Sequence, residues 1–199
     1  MRIHLIHGIH SNGVGNTGKL APYFRDDGFD VFARRYGYAF ASPAFLPGFV
    51  NWQNQGRAKR LSETIADGDA IVCHSNGAAV AYLIQADHRE LSALILINPA
   101  LDRDTDFHNT GRVLCLHNAG DDVVGLSAAL PFNHWGAMGR DGYAGTLNNV
   151  VNVDCAAPPP GLPKLWGHSS LFDKYNLPHW GPALAREMRI MTGKEPANG

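Results

Sequence analysis

The residue with the clearest chemical promise is Ser75, set in Asp69-Ala70-Ile71-Val72-Cys73-His74-Ser75-Asn76-Gly77-Ala78-Ala79-Val80-Ala81. A short apolar, β-branched run leads into the serine and an alanine-rich helical pattern leaves it. The pattern predicts a strand, a tight turn and a helix. That is the signature of a nucleophile elbow, in which a strained backbone lifts a hydroxyl clear of the sheet edge. Cys73 and Gly77, two residues to either side, are small, as the close approach of strand and helix requires. The usual form is Gly-x-Ser-x-Gly, and a cysteine here replaces the first glycine while staying small. The plainer alternative is a strand–helix connection that merely carries a serine. A serine hydroxyl is a weak nucleophile until a base removes its proton, so the chemistry also needs a histidine and a group to orient it.

Ten histidines are available, and they raise the question of a metal. His4, His7 and His10 recur every three residues, but His4 falls in a strand and the other two in a loop. They form no helical ligand face, and no carboxylate is spaced to complete a zinc site. Structural or loop-organising roles fit them better, and packing fits His74.

The elements that must position Ser75 can be read along the chain. Apolar runs predict strands at Ile3–Ile6, Asp30–Ala33, the run leading into Ser75, Ala93–Ile97, Val113–His117 and Val150–Val153. Helical spacing predicts helices at Lys19–Arg25, Gln55–Ile65, the stretch from the elbow to about Ala86, and about Pro182–Met191. Continuous rather than alternating apolar runs mean strands covered on both faces. Strands alternating with helices imply a mostly parallel sheet with right-handed crossovers. An aromatic-rich stretch, Tyr36 to Trp52, either packs over the domain or lines a site. Residues 1–192 read as one domain and 193–199 as a flexible tail.

Composition narrows the class. Of 199 residues 45% are hydrophobic and 18% charged, with a net charge of −1, which leaves no electrostatic footprint for nucleic acid or an anionic membrane. No apolar run approaches the roughly 20 residues of a membrane helix. Met1-Arg2 leads directly into a strand rather than a secretory leader, so the expected location is the cytoplasm. Three cysteines in apolar runs read as buried free thiols rather than a disulfide framework. Nothing in the sequence speaks to oligomeric state.

With these elements in order, the chain resembles the α/β-hydrolase family over nearly its whole length, and within it the small, minimal esterases and lipases. The resemblance implies an α/β-hydrolase fold: a mostly parallel sheet of about six strands, helices on both faces and no large lid. Family members carry nucleophile, acid and histidine in that chain order, each on a loop at a strand's carboxyl end. Ser75, then Asp121 or Asp122, then His168 match that order. The run Asp121-Asp122-Val123-Val124 favours Asp121 as the acid, with Asp122 pointing outward or capping the next helix. His179 is the runner-up for the base. The pattern His7-Gly8-Ile9 places one oxyanion donor at the Ile9 N–H and the other at the Asn76 N–H.

The function this implies is a serine hydrolase that cleaves small carboxylic esters through an acyl-enzyme, with no metal or organic cofactor. A thioesterase or acyltransferase would use the same triad, and a non-catalytic binding protein of the same fold is the remaining alternative.

Overall fold

The computed structural model describes residues 1–8, 13–34, 49–87, 89–129 and 136–194, and elements are numbered in chain order among these. Six strands, β1 (Arg2–Ile6), β2 (Asp30–Arg34), β3 (Ala70–His74), β4 (Leu91–Ile97), β5 (Thr110–His117) and β6 (Val150–Asp154), form one sheet in the order β2-β1-β3-β4-β5-β6. Every neighbouring pair is parallel. β3 and β4 lie in the interior of the sheet. Their runs Ala-Ile-Val-Cys-His and Leu-Ser-Ala-Leu-Ile-Leu-Ile are buried almost throughout, as a sheet covered on both faces demands.

Two apolar layers flank the sheet. On one face Ile3, Leu5, Val72, Ile95 and Leu116 pack against Leu20 and Phe24 from the first crossover and Trp180, Leu184 and Met188 from the last helix. On the other, Ile6, Ile71, Leu94, Leu96 and Cys115 meet Ala58, Leu61, Val80 and Ile84. The helices supplying the first layer are α1 (Ala21–Asp26) and α6 (Leu177–Thr192); α2 (Phe49–Ser62) and α3 (Gly77–Ala86) supply the second. Burying each large aliphatic side chain is worth about 1.5–3 kcal/mol, so both layers hold the strands in register.

The strand order fixes where a site can form. From β1 the chain runs outward to β2, then returns to the other side of β1 for β3 and continues outward to β6. The direction of winding therefore reverses between β1 and β3. In open α/β sheets the crevice at the carboxyl ends of two such strands is where ligands bind. Gly8 follows β1 and Ser75 follows β3.

Several boundaries differ from the sequence-based expectation. The first helix is preceded by a 3₁₀ turn, Thr17–Leu20, and α1 proper has Pro22 in its first turn. α2 begins at Phe49 and ends at Ser62, earlier at both ends than Gln55–Ile65. Its first two turns, Phe49–Gly56, lie before the Ala58–Leu61 apolar spacing that marks the rest of the helix, and Ile65 is buried from the following turn. α6 begins at Leu177 rather than Pro182. Pro178 lies in the first turn, where its missing N–H costs nothing, and only Pro182 interrupts the ladder. Two helices lie where no boundaries were predicted: α4 (Asp122–Ala129) and the short α5 (Met138–Asp141). The expected tail lies largely outside the described residues.

Candidate active site

The elbow is built by sterics. Ser75 has φ +55°, a left-handed conformation that costs a non-glycine residue about 1–2 kcal/mol. It is held there by its neighbours: its N–H donates to the Ile97 carbonyl (3.0 Å), and its own carbonyl accepts from the N–H groups of Ala78 (3.0 Å) and Ala100 (3.2 Å). A Cβ on Gly77 would lie 2.6 Å from the His7 carbonyl oxygen and 2.8 Å from that of Ile6, so only glycine lets α3 start this close to β1. A Cβ on Gly8 would lie 2.9 Å from the Ser75 Cβ. The end of β1 thus abuts the serine itself.

Asn76 opens α3, so its backbone N–H sits at a helix N-terminus beside the Ser75 side chain, where a negative charge is favoured. Its carboxamide is paired reciprocally with that of Asn54 on α2: each Nδ2 donates to the other's Oδ1 at 2.9 Å. Arg57 donates to the same Asn54 oxygen at 3.3 Å. The proposed second oxyanion donor, Ile9, lies outside the described residues, as does His10.

On the far side of the sheet's switch point, Asp121 is fully buried after β5. Its Oδ2 accepts from His168 Nδ1 at 2.8 Å and from Asn98 Nδ2 at 2.7 Å, and its Oδ1 accepts from the Val124 N–H at 2.9 Å. The last bond makes Asp121, not Asp122, the N-cap of α4. Asp122 is exposed in the first turn. Burial alone would raise the Asp121 carboxyl pKa; the hydrogen bond and charge of His168, with the Val124 and Asn98 donors, outweigh it and hold the group below the usual range. Accepting Nδ1–H leaves Nε2 of His168 as the nitrogen that can take a proton.

His168 stands next to the elbow. Its ring lies 4.6 Å, centroid to centroid, from that of His74, the residue before Ser75. His74 does more than pack. Its Nε2 lies 2.8 Å from the His168 carbonyl oxygen, and Asn16 Nδ2 meets its Nδ1 at 3.0 Å. His179 is exposed on α6. The structure therefore pairs Asp121 with His168 and sets His168 against His74, which immediately precedes Ser75 and Asn76 on the elbow. Asn98, Asn16 and Asn54 join them without having been singled out from sequence. A lone polar residue ending the apolar β4 run was the one available hint at Asn98. Of the aromatic stretch Tyr36–Trp52, only residues 49–52 are described, with Trp52 exposed on α2.

Among the described residues no three His, Cys, Asp or Glu side chains are grouped to hold a metal ion, and no helix is long and apolar enough to cross a membrane. All three cysteines are free and buried; burial pushes Cys115 and Cys155 up to about 12, so they stay as inert thiols.

No family model matches the sequence, and no curated protein matches it. Solved structures do. A monoacylglycerol lipase from Paleococcus ferrophilus is similar at 12% identity, covering 97% of this chain and 94% of its own, with a TM-score of 0.56. An extracellular alpha/beta-hydrolase from a Paenibacillus species is similar at 11% identity, covering 96% and 98%, with a TM-score of 0.53. A pyrethroid hydrolase from Sphingobium faniae is similar at 11% identity, covering 98% of each chain, with a TM-score of 0.55. With the parallel six-stranded sheet, these likenesses give the chain the α/β-hydrolase fold.

Proposed function

We propose that the protein is a serine hydrolase acting on carboxylic esters, with Ser75 as nucleophile, His168 as base and Asp121 as the acid that orients it. The observation that carries this reading is the 2.8 Å contact of His168 Nδ1 with a buried Asp121, beside a serine held at φ +55°. A fold of this kind hosts many chemistries, so the reading rests on the site rather than on the neighbours' activities. That some neighbours are named as a lipase and as hydrolases agrees with it.

In this reading Ser75 Oγ attacks the ester carbonyl carbon while His168 Nε2 takes the hydroxyl proton. The carbonyl π electrons move to oxygen, and the oxyanion is met by the Asn76 N–H and, by its place after Gly8, the Ile9 N–H. The negative Asp121 stabilises the imidazolium that results. Collapse of the intermediate breaks the bond to the alcohol oxygen, which leaves with the proton from His168. Water then repeats the sequence on the acyl-enzyme, with His168 as base again, and releases the carboxylic acid and free Ser75.

The test is labelling with an active-site-directed fluorophosphonate, followed by mapping of the modified peptide. The reading requires the label on Ser75 and hydrolysis of short soluble esters by the same preparation. An unlabelled Ser75 in folded protein overturns it.

A further inference from the structure

Asn16, His74 and His168 come from three separate segments, and one chain of hydrogen bonds joins them with every polarity fixed. The Asn16 Oδ1 accepts the Thr17 N–H at 2.8 Å. A backbone N–H can only donate, so the carboxamide must turn its Nδ2 to His74, whose Nδ1 lies 3.0 Å away. That nitrogen therefore carries no proton. A neutral imidazole then has its hydrogen on Nε2, and Nε2 faces the His168 carbonyl oxygen at 2.8 Å, which can only accept. An imidazolium at His74 would set Nδ1–H against N–H. Burial and then the charge of His168 press His74 down to about 3, in keeping with that neutral form. Phe172 closes the pocket with its ring edge-on to His74 at 5.1 Å.

We propose that Asn16 and His74 are positioning residues that set the main chain of His168 relative to the Ser75 elbow. The inference rests on the triad reading above. His74 is covalently joined to Ser75, so its bond to the His168 carbonyl ties the nucleophile's backbone directly to the base's backbone. His168 lies on the connection between β6 and α6, in a turn just before a short 3₁₀ helix, Ser170–Phe172. The other ties to its neighbour Gly167 are two 3.4 Å contacts with Asn118 and one from Ser170 at 3.1 Å. Lys19 adds a second anchor from the same segment as Asn16, donating to the Phe172 carbonyl at 2.9 Å. A displacement of about 1 Å between reacting groups costs on the order of 10²-fold in rate, so such a strut acts on the chemical step rather than on binding.

The experiment compares His74→Phe, His74→Gln and Asn16→Asp with the wild type, using a short soluble aryl ester and nitrogen-15 NMR of the histidine rings. His74→Phe keeps the ring and loses both nitrogens. Its kcat is expected to fall by ~10²-fold while KM stays within about two-fold. Gln carries a carbonyl oxygen to accept from Asn16 and an NH₂ group to donate to the His168 carbonyl, and is expected to recover most of that loss. In the wild type His74 is expected to hold one neutral tautomer, protonated at Nε2, between about pH 5 and 8; Asn16→Asp, which keeps the cap and reverses the donor, is expected to protonate Nδ1. Wild-type kcat in His74→Phe, no recovery in His74→Gln, or a wild-type proton on Nδ1 overturns the strut. If His74→Phe fails to fold, the wild-type tautomer and the Asn16→Asp kinetics decide. A wild type that fluorophosphonate leaves unlabelled overturns the triad reading and the strut with it, whereas labelled wild type with an unaffected His74→Phe overturns the strut alone.

Discussion

Asn98 and His168 donate to the same oxygen of Asp121, at 2.7 and 2.8 Å. With Val124 holding the other oxygen at 2.9 Å, the carboxylate cannot rotate, and the imidazole it orients cannot follow it. Asn98 reaches this position from the end of β4 in a left-handed conformation, φ +46°. Two of the residues around this site, Ser75 and Asn98, are thus the two non-glycine residues with positive φ among the described residues. Strain of this sort persists only where the surroundings over-determine it.

Asn98→Gly separates the two contributions. Glycine adopts φ +46° without steric cost, about 1 kcal/mol in its favour, and loses a hydrogen bond to a charged group worth about 1.5–3 kcal/mol. The net loss of up to about 2 kcal/mol is expected to lower the melting temperature by a few degrees, while kcat/KM drops about ten-fold, the rate equivalent of about 1.4 kcal/mol. Unchanged kinetics in a folded Asn98→Gly protein would remove Asn98 from the machinery.

At Ser75 the prediction concerns activity and stability together. Ser75→Ala is expected to lower the rate by ~10⁴-fold or more with the fold intact. Ser75→Gly is expected to be equally inactive but more stable than Ser75→Ala by about 1 kcal/mol, because φ +55° no longer strains a Cβ. Steady-state kinetics and denaturant titration of both variants check this; equal stability of the two would mean the elbow stores no strain.

The neighbouring aspartates are distinguished by burial. Asp121→Asn retains an acceptor for the Val124 N–H but puts an amide against two donors, and the rate is expected to fall by orders of magnitude, ~10⁴ where the histidine tautomer is lost. Asp122→Asn removes an exposed charge in the first turn of α4 and is expected to cost at most about 0.3–1 kcal/mol of stability, with activity kept. The reverse pattern in an ester assay would make Asp122 the acid.

How far the sequence foretold these relationships depends on what each residue's type is answering to. Ser75 and Gly77 were legible because local sterics dictate them, and the inner strands were legible because a strand buried on both faces, as β3 and β4 are, must be largely apolar. The sequence left Asp121 and Asp122 both open, since the difference lies in which of them β5 turns toward the loop carrying His168. Asn16 was illegible for the same reason: its partner His74 is 58 residues away and nothing local marks it. α2 was misplaced by several residues because the apolar spacing of Ala58 and Leu61 marks only its second half, while its first half is fastened by the Asn54–Asn76 pair, which no local pattern announces.

Acid stability follows from the buried histidines. Burial, and then the charge of His168, lowers His74 to about 3, while in the unfolded chain it titrates near ~6.5. The folded state therefore binds the proton less readily. Its advantage is full above ~6.5, and falls by up to about 1.4 kcal/mol per pH unit as pH drops toward about 3. His4, lowered mainly by burial and buried between Asp69 and Arg34, adds in the same direction. Urea midpoints are expected to decline steadily below about pH 6, and His74→Gln is expected to lessen that slope. A midpoint constant from pH 7 to 4 would show that His74 becomes charged without penalty.

Access to Ser75 gives the last prediction. The connection from β4 to β5, residues 98–109, is described in full and contains turns but no helix. Its apolar side chains face inward: Ala100, Leu101 and Phe107 are buried. It is also fastened along its length. Ala100 N–H donates to the Ser75 carbonyl at 3.2 Å, Met138 N–H to Leu101 at 3.0 Å and Ala144 N–H to Arg103 at 2.7 Å, while the Arg103 side chain donates to the Gly142 carbonyl at 3.1 Å. A lid must carry an apolar stripe that is buried when shut and offered to lipid when open. This segment has spent its apolar residues on the core, and opening it would break the bond that helps hold Ser75 in place. Activation by a lipid surface through this connection is therefore not expected. With a short-chain ester titrated through its critical micelle concentration, the rate should rise smoothly and saturate while the substrate is still monomeric. Little activity below that concentration and a sharp rise above it would show that a gate exists elsewhere around the serine, and would move the substrate class from soluble esters to lipid aggregates.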